Sequence, residues 1–345
     1  MKALRWYGRK DLRYEEVPEP LPGPGQVKAL INLVGICGTD LKEYAAGPCM
    51  IPPDKAPVIL GHEFAGRVVA VGEGVTEFKV GDRVTGLGYW CCGQCSYCRR
   101  GLYNLCLNSD FTGLTKDGCM AEYLVAPSYS FYRLPDSVSD EVGTLVEPLA
   151  VSLHAVRQGK VRPGDTVAIV GDGTIGLCSL LAARVAGATA VYVVAKHKGR
   201  GDMALAMGAT AVVHLGDGDP VTRLGDLTGG LGADVAIECV GQPDTPQLTV
   251  RLARRGGIAV IVGVFERPGS FDFSSMTFSE RTMVGSSIYI DEAKTAIAML
   301  ADGRLAPGRL ISATVPLKDA VNMGFERLLT EKDDNIKILL KISSD

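Results

Sequence analysis

Val167-Ala168-Ile169-Val170-Gly171-Asp172-Gly173-Thr174-Ile175-Gly176, residues 167–176, runs from four apolar side chains straight into three glycines spaced G-x-G-x-x-G. Glycine is common in this chain, at 42 of 345 residues, so the spacing alone carries little. Its setting carries more, because Thr166–Val170 reads as a strand and Gly176–Val185 as a helix. In such a turn the first glycine permits the bend and the second lets backbone approach a pyrophosphate. The third allows helix and strand to pack closely, with the phosphates at the helix N-terminus. Gly171, Asp172, Gly173, Thr174, Ile175 and Gly176 are therefore read as dinucleotide-binding positions. Asp172 brings a charge that phosphates repel, so its side chain is expected to turn away from them. An ordinary glycine-rich turn is the alternative.

Beyond the turn the alternation continues. Ala190–Val194 is the next strand, followed by a helix that ends before Gly208. Ala211–His214, Ala233–Cys239 and Gly257–Val264 are further strands. They lack a polar face, as parallel strands do when helices cover both sides of a sheet. An NAD-binding second strand should end in Asp or Glu for the ribose 2′-hydroxyl. Here it ends in Ala195-Lys196-His197-Lys198-Gly199-Arg200, with no carboxylate before Asp202. Loss of that acid relieves repulsion against a 2′-phosphate, and Lys196, Lys198 and Arg200 can clamp one. Ala195, Lys196, His197, Lys198 and Arg200 are accordingly read as cofactor contacts, with NADP(H) preferred. A solvated basic turn in a chain that accepts either cofactor keeps NAD(H) open.

The N-terminal half has a different texture. Val27–Val34, Phe64–Val71 and Asp82–Thr85 are short alternating runs among glycines and prolines, which predict the strands of a partly closed β-barrel. The change falls near residue 150, and two domains suit a chain of 345 residues. Glu292–Leu300 reads as an amphipathic helix and Asn335–Ile342 as a last strand. The tail after about residue 288 is expected to pack back on the first domain. Thirty-six basic against 39 acidic residues leave a net charge of −3. That balance offers no footprint for nucleic acid and no polybasic membrane anchor. Residues 1–24 are charged and proline-rich rather than signal-like, and Leu177–Ala195 is interrupted by Arg184. A cytoplasmic chain acting on a small molecule is the expectation.

Eight of the ten cysteines fall between Cys37 and Cys119. Cys92, Cys95, Cys98 and Cys106 form C-x2-C-x2-C-x7-C, with Gly93 and Gly101 in the bends. Four thiolates on one short loop match a closed tetrahedral zinc shell, which leaves no position for substrate and so predicts a structural ion. Buried or redox-active thiols are the alternative; an iron–sulfur cluster usually has other spacings. Cys91, next to the motif, is read as a spectator. Three further segments each offer a metal-ligating side chain beside glycine or proline: Gly35-Ile36-Cys37-Gly38-Thr39-Asp40, Gly61-His62-Glu63-Phe64-Ala65-Gly66, and Val146-Glu147-Pro148-Leu149. Taken singly, His62 could be a core histidine and Glu147-Pro148 a surface turn.

Together with Gly81-Asp82-Arg83-Val84, the four-cysteine loop and Glu147-Pro148-Leu149-Ala150-Val151, these segments resemble the zinc-dependent medium-chain alcohol dehydrogenases, and within them the butanediol and polyol (sorbitol-type) branch. The resemblance spans essentially the whole chain. It implies an α/β fold: a GroES-like β-barrel catalytic domain over 1–150, a Rossmann doubly wound parallel-sheet domain over 151–288, and a return to the catalytic domain over 289–345. It also implies a catalytic zinc on Cys37, His62 and Glu147, with Glu63 as a second carboxylate able to approach or replace a ligand, alongside the structural ion. An open zinc acts as a Lewis acid that lowers an alcohol's pKa, so that hydride can leave its carbon.

Thr39 can relay the released proton. Where the family commonly has histidine at the relay's outer end, this chain has Lys42, which titrates too high to shuttle protons near neutrality. Lys42 is thus read as a solvated surface lysine. The implied activity is reversible oxidation of a secondary alcohol (a vicinal diol, hydroxyketone or polyol), with an NAD-dependent polyol or threonine-type dehydrogenase as the alternative. A non-enzymatic zinc- and dinucleotide-binding module leaves the open metal set without a purpose. A homodimer or homotetramer follows from the same resemblance. Cys49, Cys119, Cys178 and Cys239 are expected to be small buried hydrophobes, and Lys28, Arg251, Arg254 and Arg255 solvated. Tyr44, Cys49, Ile51 and Tyr289 are candidates for a substrate wall.

Overall fold

In the computed structural model, which describes residues 1–342, Thr166–Val170 is the central strand of a six-stranded parallel sheet. Its neighbours are Ala190–Ala195 on one side and Ala233–Glu238 on the other. Ala211–His214 lies beyond the first, and Ala253–Ile261 and Thr282–Gly285 lie beyond the second. Counted along the chain from Thr166, the order is 3-2-1-4-5-6, the doubly wound arrangement in which ligands bind outside the carboxyl ends of the strands. The central strands Thr166–Val170 and Ala190–Ala195 are almost wholly apolar because both of their faces are covered. Ala168, Val170, Tyr192 and Val194 pack with Leu224 and Leu252 of the flanking helices Pro220–Leu227 and Thr245–Leu252. The strand expected at Gly257–Val264 starts earlier and ends at Ile261.

The glycine turn behaves as its spacing demands. Gly171 has φ +119°, a left-handed conformation that favours glycine. A Cβ on Gly176 would lie 2.0 Å from the Gly171 carbonyl oxygen, so the helix Thr174–Val185 can meet its strand only through a glycine.

The chain divides into two compact units. One comprises Met1–Glu147, Ala293–Gly303 and the chain from Ile311 onward; the other comprises Pro148–Glu292 and Arg304–Leu310. In the first unit, Gln26–Gly35 is the hub of a seven-stranded sheet. It pairs antiparallel with Glu63–Val71, with Tyr123–Pro127 and with the late strand Lys337–Lys341. A smaller sheet joins Asp11–Glu16, Lys2–Gly8 and Val58–Ile59. Tyr44 and Ile51 belong to the core of this unit, with Trp6, Phe64 and Phe325. Among the described residues no helix is long and apolar enough to cross a membrane.

Two expectations about side chains need correcting. Lys28 is buried rather than solvated, because it pairs with Glu19 and lies 4.3 Å from the centre of the Tyr123 ring. Cys49 is exposed rather than buried, because it lies on the loop after the helix Gly38–Ala46.

The second unit holds a buried carboxylate with a consequence for stability. Glu292 receives His154 Nδ1 at 2.8 Å, Arg157 Nη1 at 2.8 Å and the Ile290 N–H at 2.7 Å. Burial opposes its charge, but these donors prevail and hold the carboxyl down to about 2, against an ordinary 4.5. A depressed folded value stabilises the fold above the unfolded pKa, and that stability drains away as pH falls toward 2. Denaturant titrations should therefore lose on the order of 2–3 kcal/mol between pH 5 and pH 2 through this group. Glu292→Gln should flatten that part of the profile, and an unchanged slope would remove Glu292 as its source.

Candidate active site and metal centres

The helix Gly38–Ala46 begins directly after Cys37, and the strand Glu63–Val71 directly after His62. Both ligand-type side chains thus sit where a loop passes into regular structure. Asp40 ties these two junctions together, its carboxylate accepting from the Cys37 N–H at 2.9 Å and the Gly61 N–H at 3.3 Å. Asp40 is fully buried, and burial raises its carboxyl above the usual range. The sequence pattern contained Asp40 but did not reveal this positioning role.

Cys37, His62 and Glu63 can each present a ligand atom within 4.8 Å of the others. Glu147 is close as well: a Cβ on Gly88 would touch both its Oε1, at 3.4 Å, and the His62 ring, at 3.5 Å. Contrary to the reading of Glu147-Pro148 as a loop or turn, Glu147 is buried in the first turn of the helix Val146–Gln158. Proline is tolerated there because its missing N–H would have had no partner in that turn.

The electrostatics of this cluster call for a cation. Burial opposes charge on His62, yet Cys37, Asp40 and Glu147 outweigh it and raise the imidazole well above its ordinary range. His62 Nδ1 is buried with no hydrogen-bond partner among the described residues. A thiol, an imidazole and carboxylates, gathered and partly unsatisfied, are the donor set of a zinc site. Thr39 lies beside it, its Oγ1 3.7 Å from Cys37 Sγ. Lys42 is half-buried on the helix rather than fully solvated, and the Cys49 thiol reaches its carbonyl at 3.9 Å.

Glu63 has a partner that the sequence reading missed. The Lys337 ammonium donates to Glu63 Oε2 at 2.6 Å and to the Ile36 carbonyl at 2.8 Å, and all of this pair is buried. The available signal was a lysine in the otherwise apolar strand core Ile336-Lys337-Ile338-Leu339-Leu340, since a buried ammonium needs a counter-charge.

The four-cysteine loop is a second, separate cluster. Cys92, Cys95, Cys98 and Cys106 bring their sulfurs within 4.8 Å of one another. Single 3-10 turns at Cys98–Arg100 and Tyr103–Leu105 shape it, with Gly101 at φ +75°. Backbone N–H groups point at the sulfurs, from Cys92 to Cys106 at 3.2 Å and from Cys98 to Cys95 at 3.5 Å. The Cys98 N–H is the main reason that the Cys95 thiol is held down to about 6. Cys92 is lowered in the same way, whereas burial pushes the Cys98 thiol up to about 12, so two of the four positions favour the thiolate that binds metal. Cys91 stands outside the cluster, its backbone engaged by the Tyr129 hydroxyl.

In the second unit, Asp172 is buried and turned toward the end of the strand Ala190–Ala195. It accepts the backbone N–H groups of Lys196 and His197 at 2.9 and 2.7 Å. Lys196 and Lys198 are exposed, whereas Ala195 is buried and His197 and Arg200 are partly buried. Thr174, Ile175 and Gly176 form the first turn of the helix that follows Gly173. Glu238, which the sequence reading passed over, accepts the N–H groups of Val240, Gly241 and Gly263 and so fixes two of the loops at the strands' carboxyl ends.

Comparisons with known proteins agree with this geometry. Residues 23–136 match the alcohol dehydrogenase GroES-like domain, and residues 174–302 match the zinc-binding dehydrogenase domain. The chain is 38% identical to (R,R)-butanediol dehydrogenase of Bacillus subtilis (strain 168), over 99% of both chains. It is 38% identical to sorbitol dehydrogenase of Halalkalibacterium halodurans, over 83% of this chain and 84% of that one. The crystal structure of 2R,3R-butanediol dehydrogenase from Bacillus subtilis superposes with a TM-score of 0.91 at 36% identity, covering 99% of each chain. A parallel sheet of this order, a glycine turn and two ligand clusters, in a sequence so closely related, make the chain a member of the zinc-dependent medium-chain alcohol dehydrogenases, in their butanediol and polyol branch.

Proposed function

We propose that this alcohol dehydrogenase oxidises a secondary alcohol of a vicinal diol, hydroxyketone or polyol, and runs in reverse as a ketone reductase, with NADP(H) as the hydride carrier. The observation that carries the reading is the cluster around His62, where Cys37 and Glu63 bring ligand atoms together with the imidazole, and Cys37, Asp40 and Glu147 raise it well above its ordinary range. Cys37, His62 and Glu147 would hold the catalytic zinc, and Cys92, Cys95, Cys98 and Cys106 the structural one. The catalytic ion supplies a Lewis acid that lowers the pKa of an alcohol. Thr39, beside Cys37, takes the hydroxyl proton and passes it outward. Lys337 engages one oxygen of Glu63, which supports Glu63 as the carboxylate able to approach or replace a ligand beside Glu147. Gly171–Gly176 presents backbone to the pyrophosphate.

Exposed Lys196 and Lys198, and a strand that ends without a carboxylate, support NADP(H). A second reading, NAD(H), has one observation in its favour: the Asp172 carboxylate sits on that same turn. A homodimer or homotetramer is supported by the strand Thr282–Gly285, whose outer side pairs with no strand among the described residues, and by exposed Phe273 and Phe278. Ten cysteines without a disulfide suit a reducing cytoplasm.

Initial rates across the 2,3-butanediol stereoisomers, 1,2-diols, sorbitol, xylitol and threonine, each with NAD⁺ and NADP⁺, test substrate and cofactor together. The expected result is the highest kcat/KM for a vicinal diol or polyol with NADP⁺. Threonine as the best substrate would overturn the substrate reading, and faster turnover with NAD⁺ the cofactor reading.

A further inference from the structure

In a dinucleotide fold the carboxyl end of the second strand meets the adenosine ribose, and this chain has no acid on that strand. It nevertheless has a carboxylate there, delivered from the first turn. Asp172 Oδ2 accepts the backbone N–H groups of Lys196 at 2.9 Å and His197 at 2.7 Å. His197 Nδ1 lies 3.3 and 3.2 Å from its two oxygens, and Arg200 Nη1 lies 3.9 Å from Oδ1. Asp172 is only 5% exposed, so water screens this arrangement poorly.

Two backbone N–H groups, an imidazole and a guanidinium are what a bound phosphate would recruit. Here an internal anion engages them already. A 2′-phosphate arriving at Lys196–Arg200 meets donors that are shared and a fixed negative charge behind them. A 2′-hydroxyl is neutral, and can donate to the carboxylate's remaining lone pairs.

We propose that Asp172 determines selectivity at the adenosine 2′ position, acting as a built-in anion that opposes a 2′-phosphate. The inference rests on the dinucleotide-binding reading of this unit and deepens it. Selectivity becomes the balance between outward attraction by Lys196 and Lys198 and inward repulsion by Asp172. Fold-level analogy would look for the discriminating acid at the end of the second strand, and in this chain it stands between the first two glycines.

The test compares 5′-AMP with adenosine 2′,5′-bisphosphate, two probes that differ only in the 2′-phosphate. Calorimetric titrations would use the full chain, Asp172→Asn and Asp172→Ser. Asp172→Asn keeps an oxygen in place of Oδ2 to accept the Lys196 and His197 N–H groups while removing the charge, and Asp172→Ser removes the charge with a shorter hydroxyl. The expected result is bisphosphate affinity tightened about tenfold or more, the scale of one charge-assisted contact, with 5′-AMP affinity within about threefold. A ratio of affinities unchanged in both variants would overturn the proposal. So would equal weakening of both probes, or loss of cooperative melting in both variants, because either would make Asp172 a brace for the turn and no more. The unsubstituted chain's own ratio judges the NADP(H) reading separately, and failure of either probe to bind it would remove the dinucleotide reading itself.

Discussion

Replacing His62 with alanine is expected to lower kcat/KM for a diol by about a thousandfold or more, because several kcal/mol of Lewis-acid stabilisation would be lost with the ion that His62 is proposed to hold. Bound zinc should fall from about two ions per chain to about one, with the four-cysteine site still filled. The fold should survive, since the ring is a small part of a large unit and its Nδ1 makes no hydrogen bond there. A conservative companion is Glu147→Gln, which keeps the helix turn and the volume but offers no charge. Its turnover should fall by roughly ten- to a hundredfold, the range seen when the surroundings of a metal ligand are weakened. Metal analysis beside steady-state rates checks both. His62→Ala protein that kept full turnover and both ions would remove the buried cluster from the chemistry.

The second large effect concerns the closed cluster. Cys98 and Cys106 are buried and Leu102 is half-buried, but Tyr97, Tyr103, Leu105 and Leu107 of the same loop are exposed. A loop that turns most of its hydrophobes outward has little core to hold it and would depend on the proposed metal crosslink at its centre. Cys98→Ser should therefore release that zinc and lower the melting midpoint by about 5–10 °C, the scale of a loss of a few kcal/mol in a unit of this size. Limited proteolysis should then cut between residues 91 and 108, while the ion near His62 remains. A variant that kept its midpoint and its protease resistance would show that the loop is braced by something other than metal.

Legibility in the sequence followed distance along the chain. The parallel sheet could be read because buried strands such as Val167–Val170 and Val191–Val194 have no polar face, and because a glycine turn bears its own spacing. The four-cysteine cluster could be read because all its ligands fall on one loop. Cys37, His62 and Glu147 are far apart in sequence, and only family resemblance joined them before the fold did. Glu147 was misjudged locally, since a Glu-Pro pair serves equally as a turn or as the opening of a helix. Asp40, Glu238 and Lys337 went unread because their roles are hydrogen bonds to backbone or to distant side chains, which leave no pattern. Lys28 and Cys49 fell to averages: most lysines are solvated and most cysteines buried, and each has a local reason to differ.

The buried pair between Lys337 and Glu63 bears on how the protein is made. The ammonium that secures Glu63 and the Ile36 carbonyl is encoded 274 residues after Glu63. At ordinary elongation rates, a ribosome needs roughly 15–60 s to cover that distance. Throughout that interval the N-terminal strands can pair and the glycine-turn unit can close, but Glu63 is without Lys337. The proposed metal-ligating cluster is thus among the last parts of the molecule to be completed, and a chain that has lost its final strand carries every proposed zinc ligand without the residue that engages Glu63.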